Sequence, residues 1–339
     1  MGSPNIVNKS GRIMIAARIM NQENNSKVTV AIPTFNRASL LDQTIESVLG
    51  QSHINIELIV SDNFSSDNTS DIVASYQDER IVYFRQARNL GMVGNWNFCL
   101  EHATGEYFLL LSDDDLLAKS AIENLLLAFS DESIVLSYSP VTYIDKDTVP
   151  IPGISLRAPH LETGEGFITN ALRGKRVVFP AAALYRTKNA RKIGGYPDIG
   201  TATDFAFHLM MAMLGRVAHN PRPLVRYRMH SLSLSYTEQA IHSQANLVDW
   251  VRCKSCPLNK LELQIIKYVT NSIIRWLKFY VVEGSQENAE LGLRLLQRLS
   301  PSKKWAIWFY FFNTPVYRGW AKIHLILKQW AKRLIYGGQ

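Results

Sequence analysis

Cysteine is scarce in this chain, with only Cys99, Cys253 and Cys256 among 339 residues. So few thiols exclude a disulfide framework and make a reducing compartment the default. Cys253 and Cys256 form a lone C-x-x-C with no second pair or histidine pair nearby, a weak zinc signal. No apolar run approaches the ~20 residues that cross a bilayer. The best candidate, "WAIWFYFF" at 305–312, is far too short. The N-terminus shows no charged, apolar and cleavage regions in series, so no signal peptide is expected. Acidic residues stop at Glu290, after which nine basic ones follow. The net charge of +8 is therefore a property of the tail, and the first 290 residues are close to neutral. A nucleic-acid-binding core would carry its own basic face, so no nucleic-acid partner is expected.

What is present is an ordered globular composition, 47% apolar and 19% charged. From Lys27 short apolar runs alternate with helical stretches. "VTVAI" (28–32), "IELIV" (56–60), "IVYFR" (81–85) and "EYFLLL" (106–111) predict strands. "SLLDQTIESVLGQ" (39–51, opened by Ser39), "SDNTSDIVASYQ" (66–77), "MVGNWNFCLEHA" (92–103) and "KSAIENLLLAFS" (119–130) predict helices. That alternation implies βαβ units and a largely parallel sheet. "SIVLSY", "AAALYR" and "PLVRYRMH" (223–230) predict further strands, "TDFAFHLMMAMLG" (203–215) a helix, and the chain turns helical after about Ser235. The expected organisation is an extension over 1–26, an α/β domain over 27–235 and a helical region over 236–339.

Ligands of such sheets bind beyond the carboxyl ends of the strands. Three polar clusters fall there: "PTFNR", "SDNFSSD" and "SDDD". Asp113, Asp114 and Asp115 directly follow a run of leucines. Neighbouring carboxylates raise one another's pKa unless a positive group intervenes, and a hard divalent cation such as Mg²⁺ or Mn²⁺ suits oxygen ligands. In extended chain Asp113 and Asp115 point the same way, which favours that pair, with Asp114 as an alternative. The competing explanation for the cluster is a solvated turn before a helix.

"VTVAIPTFNRASLLDQTIESVLGQ", "IELIVSDNFSSDNT", "NLGMVGNWNFCLEHATGEYFLLLSDDD" and "GGYPD…TDFAFHLMMAMLG" resemble, in order and spacing, the blocks of family 2 glycosyltransferases, nearest in flavour to bacterial O-antigen and capsule transferases. The resemblance covers about 28–235. It implies a GT-A fold (Rossmann-like α/β, a mostly parallel sheet flanked by helices) and inverting transfer from a nucleoside-diphosphate sugar. Pro33, Thr34, Asn36 and Arg37 would line the nucleotide pocket, Asp62 would accept from the base beside Asn63, and Asn89, Gly91 and Asn95 would lie along the donor. Asp67 is expected to be a helix cap. Asp113–Asp115 match the family's D-x-D, which holds the metal on the two phosphates. Asp204 would be the general base, with Thr203 where the family often has Glu and Asp198 as the alternative base. From "YRMHSLSLS", Arg228 would clamp phosphate and His230 would be a third metal ligand or a phosphate donor.

The tail adds a separate expectation. At about 100° per residue, Trp320, Ile323, Ile326, Leu327, Trp330 and Leu334 share one helical face. Arg318, Lys322, Lys328, Lys332 and Arg333 share the other. An apolar, Trp-bearing face opposite a basic one is the pattern of an interfacial helix. This predicts an enzyme peripheral on the inner, cytoplasmic face of the membrane, acting on a glycan or polyprenyl-diphosphate-linked acceptor. The rival for the tail is a helix packed on the catalytic domain. The rival for the whole chain is a degenerate sugar-nucleotide-binding scaffold docked on the membrane.

Overall fold

The computed structural model describes residues 26–153, 157–229, 238–253, 255–283 and 286–299. His230, the extension before Ser26 and the tail beyond Leu299 lie outside the described residues. Two compact units emerge, Met1–Asp198 with Thr203–Ser233, and Ile199–Ala202 with Leu234–Gln339.

The first unit begins with β1 (Val28–Thr34), α1 (Ala38–Leu49), β2 (Ile56–Asp62), α2 (Thr69–Ala74), β3 (Ile81–Arg85), α3 (Gly91–His102) and β4 (Tyr107–Leu110). It continues with β5 (Leu116–Leu117), α4 (Ala121–Leu126), β6 (Ile134–Tyr138), β7 (Val141–Ile144), β8 (Leu161–Glu162) and α5 (Gly164–Leu172). Last come β9 (Ala183–Arg186), α6 (Thr187–Lys192), α7 (Thr203–Ala212), β10 (Arg216–His219) and β11 (Val225–Arg228). Eight strands form one sheet in the order β3-β2-β1-β4-β9-β6-β10-β8, and β5-β11-β7 form a second.

All seven residues of β2 are buried. Helices on both faces of a parallel sheet require such continuous apolar runs, here Val30, Ile32, Leu58, Val60 and Leu109 meeting Leu41, Ile45 and Val48 of α1. The N-terminal edge is pinned by Glu57. Its carboxylate accepts from Thr29 Oγ1 (2.5 Å), Thr104 Oγ1 (2.5 Å) and Thr104 N (2.8 Å), and pairs with Lys27 Nζ at 3.2 Å. One buried acid thus ties β1, β2 and the lead-in to β4.

Strand directions place the later elements. β1, β2 and β4 run parallel, β9 is antiparallel to both β4 and β6, and β10 is parallel to β6. β6 and β10 therefore run with β4. Since only Met213–Gly215 separates α7 from β10, α7 ends at the amino edge of the sheet and begins at the carboxyl edge. Asp204, in its first turn, thereby stands at the same edge as the ends of β1, β2 and β4.

The second unit holds α8 (Glu238–Arg252), α9 (Glu262–Glu283) and α10 (Gln286–Leu299). Ile265, Val269, Ile273 and Leu277, spaced by four on α9, are buried as a stripe. Gly292 lets α10 close in, because a Cβ there would stand 2.8 Å from Leu277 Cδ2. Cys253 is exposed and Cys256 buried in the turn after α8, both as free thiols. Among the described residues no helix is long and apolar enough to cross a membrane.

Candidate active site

The loop after β1 is built backwards. Asn36 adopts a left-handed φ of 54°, a conformation in which Asn is enriched because its side chain bonds locally. Its Oδ1 accepts from Ser66 N at 2.8 Å and its own N donates to Ser65 Oγ at 2.9 Å. Helix α1 starts at Ala38 rather than Ser39. Its cap comes from across the site: Ala38 N donates to Asp67 Oδ2 at 3.0 Å, while Asp67 Oδ1 accepts from Thr69 Oγ1 and N at the start of α2. Asp67 is a cap, as the sequence suggests, but for two helices at once.

Asp62 closes β2 and is 1% exposed. Ser65 N donates to its Oδ1 (2.7 Å), Tyr83 OH to its Oδ2 (2.8 Å), and Arg85 Nε lies 3.7 Å away. The carboxylate is oriented from three sides, with lone pairs to spare for an incoming N–H. Asn63 Nδ2 donates to Asn89 Oδ1 (2.9 Å) and Gly91 O (3.2 Å), and its Oδ1 accepts from Leu90 N. The Asn89–Gly91 turn, with Gly91 at φ 75°, is thereby fastened to β2. Asn95 lies elsewhere than the sequence implies. It is 2% exposed, donates to Ser61 O (2.9 Å) and accepts from Ser61 Oγ (2.6 Å). Both its polar atoms brace β2. Phe35 and Phe64 are exposed at this rim, Phe64 with a left-handed φ of 72° and Arg85 5.9 Å from its ring centroid. A bulky residue in that region is strained.

The aspartates do not continue the strand. β4 ends at Leu110, and Asp115 N donates to Ser112 O at 3.2 Å in a turn. The alternation expected of extended chain is therefore broken, and Asp113 and Asp114 come to share one cationic partner. Arg37 Nη1 bridges Asp113 Oδ1 (3.0 Å) and Asp114 Oδ2 (2.8 Å). Burial pushes the Asp113 carboxyl up to about 6, with Arg37 opposing and Asp114 reinforcing the shift. The Thr34 hydroxyl stands beside Asp113 but outside good hydrogen-bond geometry.

Asp115 is fully buried. Its Oδ1 accepts from Arg228 N at 2.9 Å, while Oδ2 is buried with no well-aligned partner among the described residues, the Ser112 hydroxyl standing beside the carboxyl but outside good hydrogen-bond geometry. Burial first, and then Asp114, raises its pKa well above the ordinary value. An orphaned carboxylate oxygen is costly, and a cation would relieve it. No group of three or more His, Cys, Asp or Glu converges as a metal cage among the described residues. The buried Asp115 oxygen beside Asp113 and Asp114 is the kind of donor set that suits a Mg²⁺-type ion, which takes one or two carboxylates together with substrate phosphates.

Arg228 departs from the expected phosphate clamp. At 2% exposure its guanidinium donates to Asp114 O (2.9 Å), Lys146 O (2.8 Å) and Gln43 Oε1 (3.0 Å), with longer bonds to Asp145 O and Thr148 Oγ1. It is a strut joining β11 to the acidic turn and to α1. Thr44 adds a bond to Asp113 O at 3.0 Å. Gln43 and Thr44 escape the sequence reading; their only signal is a polar step, one of them buried, within an amphipathic helix.

Asp204 sits in a different setting. Burial pushes its carboxyl up to about 6, against the pull of Phe205 N, which donates to Oδ1 at 2.7 Å. Tyr196 stacks on Phe207 at 3.9 Å and meets Trp96 edge-on, while Tyr185 OH contacts His208 Nε2 at 2.7 Å. Burial drives His208 down to about 3, so it is neutral. Thr203 is buried and donates to Pro197 O, closing the turn before the helix. The same turn is held by Asn97, whose Oδ1 accepts from Tyr196 N and whose Nδ2 donates to Tyr196 O. Gly195, at φ 75°, is required there, since a Cβ would come 2.5 Å from Asn97 Oδ1. Asp198 is exposed.

A buried acidic turn, an oriented carboxylate at the end of β2 and a partly buried acid opening α7 thus share one edge of the sheet. Residues 29–194 match the family described as Glycosyl transferase family 2. This unit is a family 2 glycosyltransferase domain. Over 230 residues, 67% of this chain and 88% of the relative, the glycosyltransferase is 29% identical to UDP-Glc:alpha-D-GlcNAc-diphosphoundecaprenol beta-1,3-glucosyltransferase WfaP of Escherichia coli. It is also 29% identical over 211 residues to the putative teichuronic acid biosynthesis glycosyltransferase TuaG of Bacillus subtilis, covering 61% of this chain and 81% of that one. S. aureus TarS 1-349, solved in complex with UDP-GlcNAc, shares the fold with a TM-score of 0.59 at 17% identity, over 80% of each chain.

Proposed function

We propose that this glycosyltransferase moves one sugar, with inversion at the anomeric carbon, from a nucleoside diphosphate to a hydroxyl of a polyprenyl-diphosphate-linked glycan in surface-polysaccharide synthesis. The observation carrying this is the shared edge: a polar rim at β1 and β2, the acidic turn after β4 and Asp204. The name of WfaP, a transferase acting on a diphosphoundecaprenol-linked sugar, supports the acceptor class, and that of TuaG supports the polysaccharide setting. Asp62 accepts from the base, while Pro33, Thr34, Asn36, Asn63, Asn89 and Gly91 shape the rim. Asp115, with Asp113 or Asp114, would hold Mg²⁺ or Mn²⁺, which supplies charge neutralisation on the departing nucleoside diphosphate. Asp204 takes the acceptor hydroxyl's proton as the hydroxyl oxygen bonds to the anomeric carbon and the diphosphate oxygen leaves. Asp198, solvated, is the lesser candidate. The intact acidic turn and Asp204 weigh against a degenerate scaffold.

Screening a panel of UDP-, GDP- and TDP-sugars for cation-dependent binding and slow hydrolysis tests the reading. One donor is expected to stand out, and a folded protein that binds none of them sinks it. The basic tail, outside the described residues, is proposed to dock on an anionic membrane surface, where each basic residue contributes roughly 1 kcal/mol. Full-length protein is expected to co-sediment with anionic liposomes at low salt, and a chain ending near Leu299 is not. Equal sedimentation of the two would assign the tail to packing instead.

A further inference from the structure

We propose that Arg37 is the resident counter-ion of the acidic turn, displaced when a divalent cation arrives and then free to pair with the donor's diphosphate. This rests on the reading of the acidic turn as the cation site. A single nitrogen, Nη1, lies within 3.0 Å of Asp113 and 2.8 Å of Asp114. Mg²⁺ binds carboxylate oxygens at roughly 2.0–2.1 Å, so ion and guanidinium compete for the same lone pairs while repelling each other.

The surroundings favour exchange of a side chain over movement of a loop. Arg37 O accepts from Leu40 N and Leu41 N, and the next residue, Ala38, is fastened to Asp67. The backbone is therefore fixed at both neighbours. The side chain is 27% exposed, so the guanidinium has a way out. Arg228 cannot take its place, because its donors are already spent on Asp114 O, Lys146 O and Gln43. A guanidinium released beside an arriving diphosphate finds a bidentate partner of the kind it matches best. Free cation should therefore bind poorly, and cation and nucleotide should bind together.

Manganese binding to nucleotide-free, full-length protein, followed by the EPR signal of unbound Mn²⁺, tests this in wild type, Arg37→Gln and Arg37→Lys. Removing one positive charge a few ångströms from the ion is expected to tighten Mn²⁺ binding by about 10-fold in Arg37→Gln, with Arg37→Lys close to wild type. At saturating Mn²⁺, UDP affinity is expected to fall about 10-fold in Arg37→Gln. Unchanged or weaker Mn²⁺ binding in a folded Arg37→Gln protein overturns the counter-ion role. Tighter Mn²⁺ binding with unchanged UDP affinity overturns the transfer to the diphosphate. If wild type binds no Mn²⁺ with or without UDP, the cation site itself is refuted, and this proposal with it.

Discussion

Asp204→Asn is expected to lower turnover by at least ~10²-fold, the scale of general-base catalysis, while leaving donor affinity within about 2-fold. The amide preserves shape and can still accept from Phe205 N, but it cannot take a proton. Wild-type turnover should also fall as pH drops through about 6, because burial holds the Asp204 carboxyl there and only the ionised form is a base. The variant should lack that limb. Stability should move the opposite way. The folded-state pKa lies above the ordinary 3.8, so the native state is penalised as pH rises through the interval from 3.8 to about 6. At pH 7.5 the asparagine variant should be more stable by up to about 3 kcal/mol. A slower and less stable variant would indicate that Asp204 serves the fold. Normal turnover in Asp204→Asn with a crippled Asp198→Asn would move the base to Asp198.

Asp115→Asn is expected to abolish cation-dependent transfer, by about 10³-fold, since charge neutralisation at the leaving group is worth several kcal/mol. The Asn Oδ1 can still accept from Arg228 N, so the turn should persist. Wild-type protein should gain thermal stability on adding Mn²⁺ with UDP, and the variant should gain none. Chelation should silence the wild type reversibly. Full turnover by thoroughly stripped protein in EDTA would remove the cation from the reaction.

The strands that carry the nucleotide rim were legible in the sequence because their apolar runs are unbroken and their ends are polar. β3 falls on 81–85 as expected, and β1 and β2 only run two residues further, through Thr34 and Asp62. Other features left little local trace. Helix α5 is nine residues long with Gly164 and Gly166 at its start, its local signal is the Thr163 cap that accepts from Gly166 N, and the rest of its support is tertiary burial of Phe167, Ile168 and Ala171. The direction of β9, antiparallel between two strands that run together, is a property of pairing and not of "ALYR". The acidic turn shows the same limit. Asp113–Asp115 announce a site, but which carboxylates face each other depends on the Ser112–Asp115 turn and on Arg228, 113 positions away from Asp115. Arg228 and Asn95 looked like ligand contacts because polar residues bracing a site are the same types that touch its ligand.

The double cap at Asp67 bears on how this enzyme spends its binding energy. Because one carboxylate seals the starts of α1 and α2 together, the two loops of the nucleotide rim are already registered to each other before any ligand arrives. Nucleotide capture then pays little entropy for loop ordering, and more of the intrinsic affinity remains for aligning the sugar. On the proposed reading, selection among nucleotides falls to this stiff rim and to the fixed Asp62 carboxylate, whereas adaptation to different sugars or acceptors falls to segments that Asp67 does not bind.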